Sequence, residues 1–136
     1  MKKLILILTF LLITGCIAKF KDVSDEPQYK SLLNNTYILT EAMYISGVNS
    51  PPGYGKDINV YTIGPTNPTW SGPELITRNT LQEGTLLTIQ SIKECTNCFS
   101  ERVVAYVTVE PFKKVVNVPI YINLNHIKTG KHLREK

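Results

Sequence analysis

Val115-Val116-Asn117-Val118-Pro119-Ile120-Tyr121-Ile122-Asn123-Leu124 is the stretch that decides the fold. Val116, Val118, Ile120, Ile122 and Leu124 fall on one side of an extended chain, the cleanest period-two pattern in the sequence. Successive side chains of a strand point to opposite faces, so this spacing predicts a strand with one buried face. Pro119 sits in the other register and has no N–H to donate, so the strand must meet an edge, a bulge or a break there.

Working outward, the same logic predicts four more strands. Val103 to Val109 places Val103, Ala105, Val107 and Val109 on one face, with Val104, Tyr106 and Thr108 opposite. Thr85 to Ile92 follows Glu83-Gly84, a turn signal. Asn59 to Ile63 is short and rich in β-branched and aromatic residues. Thr36 to Ile45 sets Tyr37, Leu39, Met43 and Ile45 on one side, and Glu41 interrupts that face. Helical periodicity is nearly absent. Ser24-Asp25 followed by Glu26-Pro27 reads as a helix start with Pro in its first turn, good for a turn or two before Asn34-Asn35.

The expected class is therefore all-β: a small barrel of five to six strands with at most one short N-terminal helix. Residues 46–57 and 64–73 hold most of the prolines and glycines. They read as long loops of the kind that often carries function. Gly84-Thr85-Leu86-Leu87-Thr88-Ile89 and Val118-Pro119-Ile120-Tyr121-Ile122 resemble the back half of bacterial SH3-like barrels, where a Gly-Thr-x-Leu strand and a late Pro-x-Tyr-hydrophobic strand recur. The resemblance implies a domain that binds peptides or cell-wall material through an aromatic groove. An OB-like barrel or a small sandwich would show similar strands.

The N-terminus is of a different kind. Met1-Lys2-Lys3 precedes Leu4–Ile13, apolar except for Thr9, and small residues follow. That order is a secretory signal, and the run is too short for an ordinary transmembrane helix, which needs about 20 residues. Leu12-Ile13-Thr14-Gly15-Cys16 resembles the lipobox of bacterial lipoproteins. The resemblance implies cleavage before Cys16, a diacylglycerol on its sulfur and usually an acyl chain on the new amino terminus. Several chains make a durable anchor, at about 0.8 kcal/mol per buried methylene. In that family Asp at the next position typically retains the protein in the inner membrane. Ile17 stands there instead, which implies an outer-membrane anchor facing the periplasm. The expected organisation is a signal at 1–15, a lipidated Cys16 with a short tether to residue 30, a β-barrel domain at 31–127, and a basic tail at 128–136.

Charge narrows the partners. The formal charge of +4 includes Lys2 and Lys3, which leave with the signal. Between Cys16 and Asn125 there are 9 basic and 10 acidic residues, so the excess sits in Lys128, Lys131, Arg134 and Lys136. Nucleic-acid binding needs a dense basic surface, which this pattern does not supply. The tail reads as a solvated end, or as a contact to anionic lipid or cell wall.

Cys95-Thr96-Asn97-Cys98 is the most conspicuous motif of the mature chain. Outside the cytoplasm, cysteines this close are expected to bridge. A redox pair would belong at a helix N-terminus, and this one follows a strand. A zinc site would need a second ligand pair, and His126 and His132 are six apart. No nucleophile motif, phosphate loop or dinucleotide fingerprint is present, so neither an enzyme nor a cofactor is expected. The binding candidates are Tyr54, Tyr61 and Trp70, because aromatic side chains bring large, stiff contact area to interfaces. Trp70 folded over the barrel mouth is the competing reading. Two functions follow as expectations: a non-catalytic envelope module for a protein or peptidoglycan partner, or an inhibitor or immunity protein against a toxin or lysozyme-like enzyme.

Overall fold

The computed structural model describes residues 18–50, 55–67, 69 and 72–136. Its described residues form β1 (Phe20–Asp22), β2 (Thr36–Leu39), β3 (Met43–Val48), β4 (Val60–Gly64), β5 (Leu75–Leu81), β6 (Leu86–Cys95), β7 (Val103–Glu110), β8 (Ile120–Asn123) and β9 (Leu133–Glu135), with helices α1 (Pro27–Lys30) and α2 (Leu124–Lys128). The strands make one sheet in the order β5-β3-β4-β8-β7-β6-β2-β9, and β1 adds to β6. Neighbours are antiparallel except β4 and β8. Helix α2 touches β7, β8 and β9, although β6 and β2 lie between β7 and β9 in the sheet, so the sheet is curled.

The fold is mostly β, as the strand patterns require. Five to six strands was too few, and one helix was too few. The sheet is open, with β5 and β9 as its ends.

Three local features explain the differences. First, β6 is continuous over ten residues because of a bulge. Leu87, Ile89 and Ile92 are all fully buried, yet the spacing from Ile89 to Ile92 breaks a period of two. The register shift between Ile89 and Ser91 absorbs the extra residue, so exposed Gln90 is bypassed and Ile92 returns to the core.

Second, Thr36 to Ile45 is two strands. Tyr37, Leu39, Met43 and Ile45 are all buried, as their spacing predicted. Glu41 would share that face. The chain instead leaves the sheet at residues 40–42, Glu41 reaches solvent, and its carboxylate meets the Nδ1 of His132. Beyond this corner, β3 pairs with β4 and β5 rather than continuing along β6. There Gly47 leaves room for its neighbours: a Cβ would overlap Thr77 Oγ1 and lie 2.7 Å from Ile58 Cδ1, so both side chains would have to shift.

Third, the pattern at 115–124 yields a strand only after Pro119. Ile120 and Ile122 are buried in β8, while Leu124 is buried in α2, which Asn123 caps through a 2.9 Å bond from Asn125 N–H. Pro119 offers its carbonyl to Tyr61 N–H at 2.9 Å. β5 escaped the sequence reading because it is an edge strand whose middle residues Arg78, Asn79 and Thr80 face water. The Glu83-Gly84 turn is present as expected, with Gly84 at φ 86°.

The segments read as tether and tail belong to the domain. Phe20–Asp22 pairs with Lys93–Cys95, Val23 and Tyr29 are buried, and the expected helix turn starts at Pro27. At the other end Leu133 is 1% exposed and pairs with Leu39, so the basic tail ends in a paired strand, Leu133–Glu135, rather than fraying. His132 is half-buried beside it, not solvated. Deleting a buried leucine side chain costs about 2–5 kcal/mol. Leu133→Ala should therefore lower the unfolding free energy measured in urea by an amount in that range, whereas a frayed tail would leave it unchanged.

Candidate functional site

β7 has a different structure at each end, and among the described residues the exposed large apolar side chains divide between them. Phe99 lies at one end, Val115 and Val116 at the other. Eight residues of strand separate the two ends, roughly 25 Å.

At the first end, the β6–β7 hairpin closes on a Cys95–Cys98 disulfide with Cα atoms 5.7 Å apart. The expected bridge is present, and bridged sulfurs are neither free thiols nor thiolate ligands. Among the described residues, no three His, Cys, Asp or Glu gather as metal ligands. The hairpin tip holds the start of the described chain. Asn97 Oδ1 accepts from Lys19 N–H at 2.6 Å, Thr96 N–H donates to Lys19 C=O at 2.8 Å, and Thr96 Oγ1 donates to the same carbonyl at 3.2 Å.

At the second end, the connection from β7 to β8 runs over residues 111–119. Tyr61 organises it. The Tyr61 ring is 1% exposed and meets Phe112 edge-on, centroids 5.5 Å apart. Its hydroxyl accepts from Val115 N–H at 3.2 Å. Burying such a ring is worth about 1.5–3 kcal/mol, against about 1 kcal/mol for the hydrogen bond, so packing places Tyr61 and the hydroxyl then fixes the loop. Lys114 Nζ tightens the turn by donating to Asn117 Oδ1 at 3.0 Å and Val118 C=O at 3.1 Å. Val115, 80% exposed, thus projects from a braced loop, with Val116 38% exposed beside it.

A cleft of about 210 Å³ lies between these ends on the outer face, walled by Pro65, Thr66 and Thr69 on one side and Arg102, Tyr121 and His126 on the other. The wall exists because β4 and β5 flank β3 and run the same way, so their connection has to cross that face. Thr69 ties it down through a 2.6 Å hydroxyl contact to Thr62. Arg102 donates to Tyr121 Oη at 3.1 Å and faces the rings of Phe20 and Tyr121, each 5.8 Å away. Among the described residues no carboxylate pairs with it. Burial holds the Tyr121 phenol above its ordinary pKa. Burial, then the neighbouring His132, holds His126 below its ordinary value. Ligand pockets usually offer about 300–1,000 Å³, so this cleft fits one side chain or a small group rather than a whole cofactor.

Of the sequence candidates, Cys16, Tyr54 and Trp70 lie outside the described residues, and Cys95 and Cys98 form the bridge. Tyr61 requires a correction: its ring is buried and braces the 111–119 loop, so it does not offer a binding face. Val116 was missed as a surface residue because its alternation reads as the buried face of a strand, and Val115, in the opposite register with Pro119, carries no motif. Arg102 was missed because a lone basic residue beside a turn carries no motif. Compared with known families, curated proteins and solved structures, the chain matches none of them.

The His126 shift sets a pH dependence. Its folded-state pKa lies below the ordinary 6.5, so the unfolded chain takes up that proton first as pH falls. The stability linked to neutral His126 is present above 6.5 and is lost as pH drops through that value. Urea midpoints should fall between about pH 7.5 and about pH 5.5, and His126→Gln should shrink that fall.

Proposed function

We propose that this chain is a lipid-anchored protein of the bacterial envelope whose β domain binds a protein or cell-wall partner and catalyses no reaction. The lipobox-like Leu12–Cys16 supports the anchor, and Ile17 supports the outer membrane, facing the periplasm. The observation that carries the binding role is the braced loop that projects Val115 and Val116. An apolar contact already held in place loses little freedom on binding, and that preorganisation raises affinity. The loop leads into β8 where Ile120 pairs with Tyr61 near the start of β4. β6 to β8, the part that resembles SH3-like modules, form the sheet on which this surface is mounted. The same projecting loop would also suit an inhibitor that fills a foreign cleft.

The experiment uses the mature chain as bait for envelope extract and in sedimentation with purified cell wall. Val115→Asp should reduce recovery of the partner at least about tenfold, since burying an unpaired charge at a contact is costly. Tyr61→Phe should weaken it less, by loosening the loop while leaving its apolar side chains. Equal recovery by the wild type and Val115→Asp sinks the reading. A captured enzyme that loses its activity when bound decides for the inhibitor. Cys16→Ser should abolish metabolic labelling with palmitate.

A further inference from the structure

Phe99 has no role in the fold. It is fully exposed, immediately follows the disulfide, and is the most exposed large apolar side chain among the described residues. A lone exposed apolar side chain is ordinary by itself, and what distinguishes this ring is where the chain places it. Three hydrogen bonds fix Lys19 against Thr96 and Asn97, in the same turn that carries Phe99. Lys19 is three residues from Cys16, and three residues of chain span at most about 11 Å in any conformation. A lipid on Cys16 would therefore keep this turn within about 11 Å of chain from a bilayer surface.

We infer that the Cys95–Cys98 turn is the membrane-seated end of the domain and that Phe99 inserts into the lipid interface as a second attachment point. The inference rests on lipidation of Cys16 and goes beyond it, because a lipid on a tether alone would leave the domain free to tumble. Groups of suitable chemistry lie at the same end of the domain. Lys19 and Lys21 are exposed and long enough to reach lipid phosphates while Phe99 enters the acyl boundary, with Arg102 in the same turn region and Asp22, Glu94 and Glu101 as opposing charges, Glu94 directly across from Lys21. Lys19 N–H and C=O are both engaged by the turn, so Lys19 and the turn that carries Phe99 move as one body. The disulfide keeps the turn closed in an oxidising compartment. With this end on the membrane, Val115 and Val116 stand at the other end of β7.

The test uses full-length protein processed in a bacterial envelope, purified in detergent and reconstituted into vesicles of phosphatidylethanolamine and phosphatidylglycerol with brominated acyl chains. All variants carry Trp70→Phe to remove the native indole. Phe99→Trp and Val115→Trp, both at exposed positions, are compared, and mass spectrometry reports the lipid on Cys16. The inference expects several-fold stronger bromine quenching for Phe99→Trp than for Val115→Trp. It also expects Phe99→Asp to remove the bilayer protection of Lys19 and Lys21 from an aqueous amine-labelling reagent while the protein stays attached to vesicles. Lipidated protein with equal quenching at the two positions overturns the inference and leaves the anchor intact. A chain without lipid on Cys16 overturns the anchor and the inference together.

Discussion

β6 has to satisfy three other strands with one backbone. One edge carries β7 over almost its whole length, and the other carries β2 near its start and β1 near its end. That is possible only because the bulge at Gln90 lets Leu87, Ile89 and Ile92 all face the core. Without it, everything after Ile89 would change face, since a slip of one residue inverts the inside and outside of a strand. The position of the disulfide turn, and with it Lys19 and Phe99, depends on that correction, because the turn is the continuation of β6.

A second constraint follows from a charge. Glu41 falls in register with the buried face of Tyr37, Leu39, Met43 and Ile45. A carboxylate there would be desolvated without a partner, so the chain turns a corner between β2 and β3 and Glu41 meets His132 outside. The corner carries β3 to the opposite side of the sheet from β2, making room for β4, β5 and β8. It also brings the C-terminal strand into the domain, since Leu133 packs beside the residue that accepts Glu41. One misplaced charge thus helps set the strand count.

The two ends of β7 divide the surface chemically. One end is cross-linked, tied to the N-terminal segment and tipped by an aromatic ring. The other is braced by a buried tyrosine and tipped by aliphatic groups. Between them Arg102 donates to Tyr121 in a cleft too small for a cofactor. Under the proposed function, the first end belongs to the membrane and the second to the partner.

The sequence alone determined the strand-rich class, the Gly84 turn, the short helix after Glu26 and the disulfide. These follow from local rules: period-two spacing, a residue able to adopt positive φ, a proline in a first turn, and two cysteines a few residues apart. It also supplies the lipobox-like motif on which the proposed anchor rests, since such a signal acts as linear text. Only the tertiary structure decided how many strands there are, what covers Tyr61 and which apolar residues stay outside. Val116 and Ile120 share one alternating pattern, yet one is half in water and the other is buried, because Pro119 ends the strand between them. Arg78 to Thr80 show no buried alternation and still form part of an edge strand, because an edge buries little. Burial depends on what lies opposite in space, and spacing along the chain carries no record of that.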